Sequence, residues 1–200
     1  MRLTEARDKA IGLAKTDTPA AMMIARAIDD SWFRSQAMAW IARFAAEADL
    51  APILEEARAA SWATEDKYKT VGSSAWRFRA MIERGKRLAA ADELPDLVAC
   101  AADVAHPVSR LEALFLLFES VFAIDRCRRL TLSALIDACH IANSWKSGDR
   151  LREAAIMLAF AGHHDEAHQA VSAMANRRYR RQAIERIRRG QRREPRPFFW

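Results

Sequence analysis

Apolar residues return every three or four positions along nearly the whole chain. This is the spacing of one helix face rather than the alternation of a strand. The pattern predicts a leading helix near 2–15 and then five helix pairs. These lie at about 19–28 with 32–47, 52–61 with 65–85, 95–105 with 108–124, 130–143 with 149–161, and 164–175 with 177–189. Pro19, Pro52, Pro95 and Pro107 each precede an apolar period and read as helix starts, because a missing N–H costs nothing in the first turn. Thr18 is the expected N-cap before Pro19. Gly85, Gly148, Gly162 and Gly190 stand where the period breaks, as helix-ending glycines do. Short connections favour antiparallel neighbours.

The second helices of the pairs overlay without gaps over their first turns. Ala37 falls on Gly72, Ala113, Ala154 and Ala183, and Ile41 falls on Trp76, Leu117, Leu158 and Ile187. A small residue with a large one four positions later lies on one helix face, so the backbones can approach and the gap beyond is filled. Successive copies are 35, 41, 41 and 29 residues apart, an irregular period typical of a stacked helical array. The expected fold is all-α: a right-handed α-α superhelix, or solenoid, of about five helix-turn-helix repeats. It would form a single domain over 1–190, followed by an extended basic and aromatic tail at 191–200. Leu111, Leu114, Phe115, Leu117, Phe118, Val121 and Phe122 cover more than one helix face, as the middle of a stack requires.

Arg34, Lys69, Arg110 and Arg180 are equivalent in the overlay and flank the apolar stripe. Each is expected to reach an acidic group or the C-terminus of the preceding helix, with Asp29 and Asp30 as candidates for Arg34 and Asp103 for Arg110. The alternative is a basic ladder lining a groove.

Leu151, Ala155, Leu158, Gly162, Ala167, Val171 and Met174 run large, small, large, turn glycine, small, large, with Met174 where a small residue is usual. Over 150–175 this resembles the tetratricopeptide-repeat family, and the resemblance extends as an architecture over 19–189. The other copies are weaker, and none carries the family's closing proline. A HEAT-like stack suits the same architecture. The resemblance implies a concave surface that binds peptides or protein partners.

The composition changes this picture little. The 200 residues are 51% hydrophobic and 29% charged, with six Gly and six Pro, too few turn residues for a β-rich domain. Cys100, Cys127 and Cys139 form no CxxC and read as reduced core thiols, which with a charged N-terminus points to the cytoplasm. The longest apolar stretch, Leu111 to Ile124, holds Glu112 and Glu119, so no membrane span is expected. There is no phosphate-binding glycine loop, no GxSxG and no HExxH. His163, His164, Asp165 and His168, and Cys139 with His140, match no metal-ligand spacing. Glu55 with Glu56 and Asp92 with Glu93 read as helix-start acids. No cofactor, no metal and no enzyme activity are therefore expected. A helical lyase holding a ligand in the groove is the remaining catalytic alternative.

The net charge of +6 is local. Residues 177–196 carry ten Arg against two Glu, which leaves the rest of the chain slightly acidic. On a helical wheel Tyr179, Ala183, Ile184 and Ile187 form the expected buried stripe, with Arg178, Arg181, Arg188 and Arg189 facing solvent. Pro195 and Pro197 make the tail extended, and its aromatics either fold back or anchor in a partner. The candidate partner-binding residues are Arg177, Arg178, Arg181, Arg188, Arg189, Arg192, Arg193, Phe198, Phe199 and Trp200, and exposed members of Trp32, Trp40, Trp62 and Trp76 could add hot spots. The expected function is a protein-interaction scaffold or adaptor that binds through a solenoid groove, the Arg-rich C-terminal helix, or both. The alternative is nucleic-acid binding through that helix and tail.

Overall fold

The computed structural model describes residues 3–196 and Phe198. Among these the chain is an all-α helical repeat with no strand. The helices are α1 (Leu3–Leu13), α2 (Thr18–Arg26), α3 (Ser31–Ala42), α4 (Glu47–Trp62), α5 (Lys67–Glu83) and α6 (Arg87–Ala102). They continue with α7 (Pro107–Val121), α8 (Asp125–Ala142), α9 (Trp145–Phe160), α10 (His164–Ser172) and α11 (Arg177–Arg188).

Local chemistry sets the boundaries. Asp17, Asp30, Asp66, His106 and Asn176 each accept a backbone N–H from the first turn of the following helix. Asp17 therefore caps α2, and Thr18, the expected cap, is the first helical residue. Gly85, Gly162 and Gly190 have φ of +76°, +84° and +65°. Beyond each, the next N–H closes back on the helix: Lys86 on Met81 O at 2.8 Å, His163 on Leu158 O at 2.8 Å and Gln191 on Arg186 O at 3.0 Å. Two expected starts move. Pro52 and Pro95 lie inside α4 and α6, because good helix formers upstream extend both helices. Both prolines are exposed, so water can satisfy the carbonyls they free. Gly148 does not end a helix. It is the fourth residue of α9, while α8 ends at Asn143 with φ +38°.

The chain divides into two compact units, one of residues up to 101 together with Phe198, the other of 102–196. In the first, α1 packs on α2 and α3, and α3 on α4 and α5. In the second, α7 packs on α8 and α9, and α9 on α10 and α11. Among helices consecutive in the chain, the tightest pairs are α1 with α2, α3 with α4, α7 with α8 and α9 with α10. The repeating hairpin is thus one helix out of phase with the pairing read from the sequence. An overlay of every second helix fixes the period but is blind to which of two alternating turns lies inside the repeat.

The small positions do as expected: Ala37, Ala113, Ala154 and Ala183 have no solvent exposure. Ile41, Trp76, Leu117 and Leu158 beyond them are buried, and Ile187 on the last helix is half-buried.

The equivalent arginines clip turns. Arg34, Arg110 and Arg180 each donate to the carbonyl six residues earlier, Ile28 O at 3.0 Å, Val104 O at 2.9 Å and Met174 O at 2.6 Å. Arg128 on α8 does the same to Phe122 O at 3.0 Å. The acceptor is a leftover carbonyl at the end of the preceding helix, which needs a donor once the turn is buried. The acids Asp29, Asp30 and Asp103 are not the acceptors, and Asp30 caps α3 instead. In α5 the clip position holds Thr70 rather than Lys69, and its hydroxyl meets that of Thr64 at 2.7 Å.

Glu47, beside Lys86 and then Arg84, and Glu56, beside Arg26, are both held below the usual carboxylate range. Carboxyls with a lowered folded pKa add stability above their unfolded value of about 4.3, and it drains away as pH falls through the lower folded values. Melting temperature followed by circular dichroism should therefore fall as pH drops below about 4. Glu47→Gln/Glu56→Gln should show a shallower fall, and an identical slope would refute the assignment. Gly148 tests the packing. A Cβ there would lie 2.6 Å from Tyr179 Cγ. Gly148→Ala should cost about 1–3 kcal/mol in urea unfolding, and less on a Tyr179→Ala background.

Candidate functional site

The C-terminal helix α11 starts from its Asn176 cap and packs mainly on α9. Tyr179 fills the notch left by Gly148, and Ala183 is buried beneath the helix. The expected inner stripe stops there. Ile184, read as buried, is 36% exposed, and Ile187 is half-buried. The stripe is too wide for α9 alone, so its outer edge faces an open groove between α10 and α11.

That groove has a volume of about 480 Å³. Its apolar floor is Ala159, Ala167, Val171, Ile184 and Ile187. His164, His168, Arg180 and Arg188 form its walls. It adjoins a shallow depression of about 730 Å³ that again contains Ile184, among Arg177, Arg181, Arg188 and Arg189. Of the arginines of α11 and its C-cap, only Arg189, the cap, is seen in an ion pair among the described residues, with Glu185 at 2.5 Å.

The candidate residues thus separate into groups. Arg177, Arg181, Arg188 and Arg189 share one exposed face with Ile184. Arg178 is exposed elsewhere, beside a different groove of about 590 Å³ with Tyr179, His140 and the 66% exposed Trp145. Arg192 lies over the Phe160 ring at 5.9 Å. Arg193 pairs with Glu153 at 3.1 Å and approaches Glu119 at 3.8 Å. Phe198 is buried within the first unit, with ring centres 4.8 Å from Trp40 and 5.2 Å from Trp76 and the Arg43 guanidinium 4.4 Å from its own. Arg193 and Phe198 are therefore structural contacts. Phe199 and Trp200 lie outside the described residues. Of the tryptophans, Trp76 is buried and Trp62 is 42% exposed.

The sequence reading did not single out Arg196. Its backbone N–H and guanidinium both reach Glu119, which has no solvent exposure, with Nε 2.9 Å from the carboxylate. A buried Glu in the apolar helix α7 was the available signal, because such a charge demands a cation.

His140 contacts Ala173 O at 3.2 Å, and His163 packs on the Phe122 ring. No group of three or more His, Cys, Asp or Glu able to hold a metal occurs among the described residues. Cys100, Cys127 and Cys139 are buried, and burial, aided by Glu112, pushes the Cys139 thiol up to about 12, so it stays protonated and inert. No helix among the described residues is long and apolar enough to cross a membrane. Compared with family models, curated proteins and solved structures, the chain matches none.

Replacing Arg196 leaves Glu119 buried with, among the described residues, only the more distant Arg193. Arg196→Ala should lower unfolding stability by about 3 kcal/mol in urea, and Arg196→Lys by less. A change below about 0.5 kcal/mol would show that Glu119 does not depend on the tail. Truncation after Gly190 would remove both cations as well, so it would not isolate a binding role for the tail.

Proposed function

We propose that the chain is a protein-interaction adaptor that docks a partner on α11 and its groove against α10. One observation carries this reading: Ile184 is 36% exposed on a face that it shares with Arg177, Arg180, Arg181, Arg188 and Arg189 and with one acid, Glu185. An apolar contact ringed by charge is the layout of a protein interface, in which a desolvated anchor sits inside a polar rim. The resemblance to tetratricopeptide repeats supports the same role, and the buried free thiols suit a reducing compartment such as the cytoplasm.

Nucleic-acid binding is the second reading. It is favoured by Arg177, Arg181 and Arg188, for which no ion pair is seen among the described residues. Phosphate contacts need that charge but have no use for Ile184.

The two separate in a pull-down from lysate with the immobilised full chain, as wild type, Ile184→Asp and Arg181→Glu/Arg188→Glu. A protein held by wild type and lost with Ile184→Asp is the expected result. Retained nucleic acid that ignores Ile184→Asp and elutes steeply between about 50 and about 200 mM salt would establish the second reading instead. Capture unaffected by either variant would rule out this face.

A further inference from the structure

The pairing rule of the fold says what shape belongs in the α10/α11 groove. In α1 with α2, α3 with α4, α7 with α8 and α9 with α10, each odd-numbered helix is covered most closely by the helix that follows it. Helix α10 also touches the preceding even-numbered helix, α8. A helix covering α11 as α10 covers α9 would lie against both α11 and α10. The groove floored by Val171 of α10 and by Ile184 and Ile187 of α11 is that place.

The ion pairs say what charge it carries. Glu56 of α4 takes Arg26 of α2 at 2.6 Å, and Glu93 of α6 takes Arg58 of α4 at 3.4 Å and Arg77 of α5. Glu166 of α10 takes Arg128 of α8 at 2.7 Å. In each case an even-numbered helix brings a glutamate to an arginine of an earlier one. Around the α11 groove the arginines are present without the glutamate. Arg180 is committed to Met174 O, whereas Arg188 and, on the adjoining face, Arg181 are exposed with no ion pair seen among the described residues.

We infer that this groove is a helix berth for an acidic amphipathic helix of a partner protein. This rests on the docking reading above and specifies its partner. The apolar side of the incoming helix lies on Val171, Ile184 and Ile187, and its glutamates meet Arg181 and Arg188. About three turns, some 18 Å, match the length of α11. The chain's own described tail does not fill the berth, since Arg193 and Arg196 are held on Glu153 and Glu119. A second copy docking α11 on α11 would set Arg177, Arg181 and Arg188 against themselves, which like-charge repulsion opposes.

The test is fluorescence anisotropy with the full chain and labelled helical peptides of about four turns. One carries leucines at i, i+3, i+4 and i+7 flanked by glutamates, and sister peptides replace every Glu by Gln or by Lys. The expected result is binding of the Glu peptide at least about tenfold tighter than the Gln peptide, and no binding of the Lys peptide. Ile184→Asp should weaken the Glu peptide by at least about tenfold with an unchanged circular dichroism spectrum. Arg188→Glu should weaken the Glu peptide and admit the Lys peptide.

Equal binding of the Glu and Gln peptides, or no binding of either, overturns the inference. So does displacement of the peptide by a single-stranded oligonucleotide that binds Ile184→Asp as well as wild type. A dimer in sedimentation that Ile184→Asp dissolves would assign the groove to a second copy. If the pull-down shows Ile184-dependent capture of a protein while the Glu peptide fails, the docking reading stands and the helix berth falls.

Discussion

The fold depends on four small buried positions in its helices, all of them alanines. Ala37, Ala113, Ala154 and Ala183 are wholly buried, and any larger side chain there would push two helices apart. Bulky residues such as Ile41, Leu117 and Leu158 then fill the space one turn further along. Close packing has an electrostatic consequence. Turns drawn tightly under the next helix bury carbonyls that water would otherwise satisfy. The arginines at 34, 110, 128 and 180 supply the donors, each reaching back six residues. A residue type that looks functional along the sequence is in these places part of the backbone hydrogen-bond accounting.

Charge between repeats follows a similar order. Arg128 is buried, and burial alone would disfavour its charge. The hydrogen bond and charge of Glu166, with those of Asp125, more than offset that burial, so its pKa is raised rather than lowered. Arg150 shows the same balance between burial and Glu112. Interior arginines are thus neutralised by glutamates from neighbouring helices, while α11 displays Arg177, Arg181 and Arg188, for which no ion pair is seen among the described residues. The basic end of the chain therefore differs from the interior in pairing as well as in composition, and Ile184 gives it an apolar centre.

The tail contains both kinds of residue. Arg193 and Arg196 serve a buried carboxylate, and Phe198 fills an aromatic site with Trp40 and Trp76. Arg192 stays largely exposed. The tail's basic, aromatic composition suggests a free recognition segment, yet Arg193, Arg196 and Phe198 are occupied internally.

By itself the sequence determined the helices, the closures at Gly85, Gly162 and Gly190, and the small-then-bulky register. These arise from contacts within one turn or between residues four apart, which order along the chain reveals. Position on the chain did not reveal that helix formers upstream carry α4 and α6 past Pro52 and Pro95, since that is a contest between one lost hydrogen bond and a whole added turn. Tertiary structure alone decided the phase of the hairpins, the acceptors of Arg34 and Arg110, the partner of Glu119 and the exposure of Ile184. Each depends on which neighbour covers a given side of a helix. A wheel drawn for α11 places Ile184 beside Arg181 and Arg188 as readily as beside Ala183 and Ile187, and only the packing of α9 and α10 settles which neighbours count.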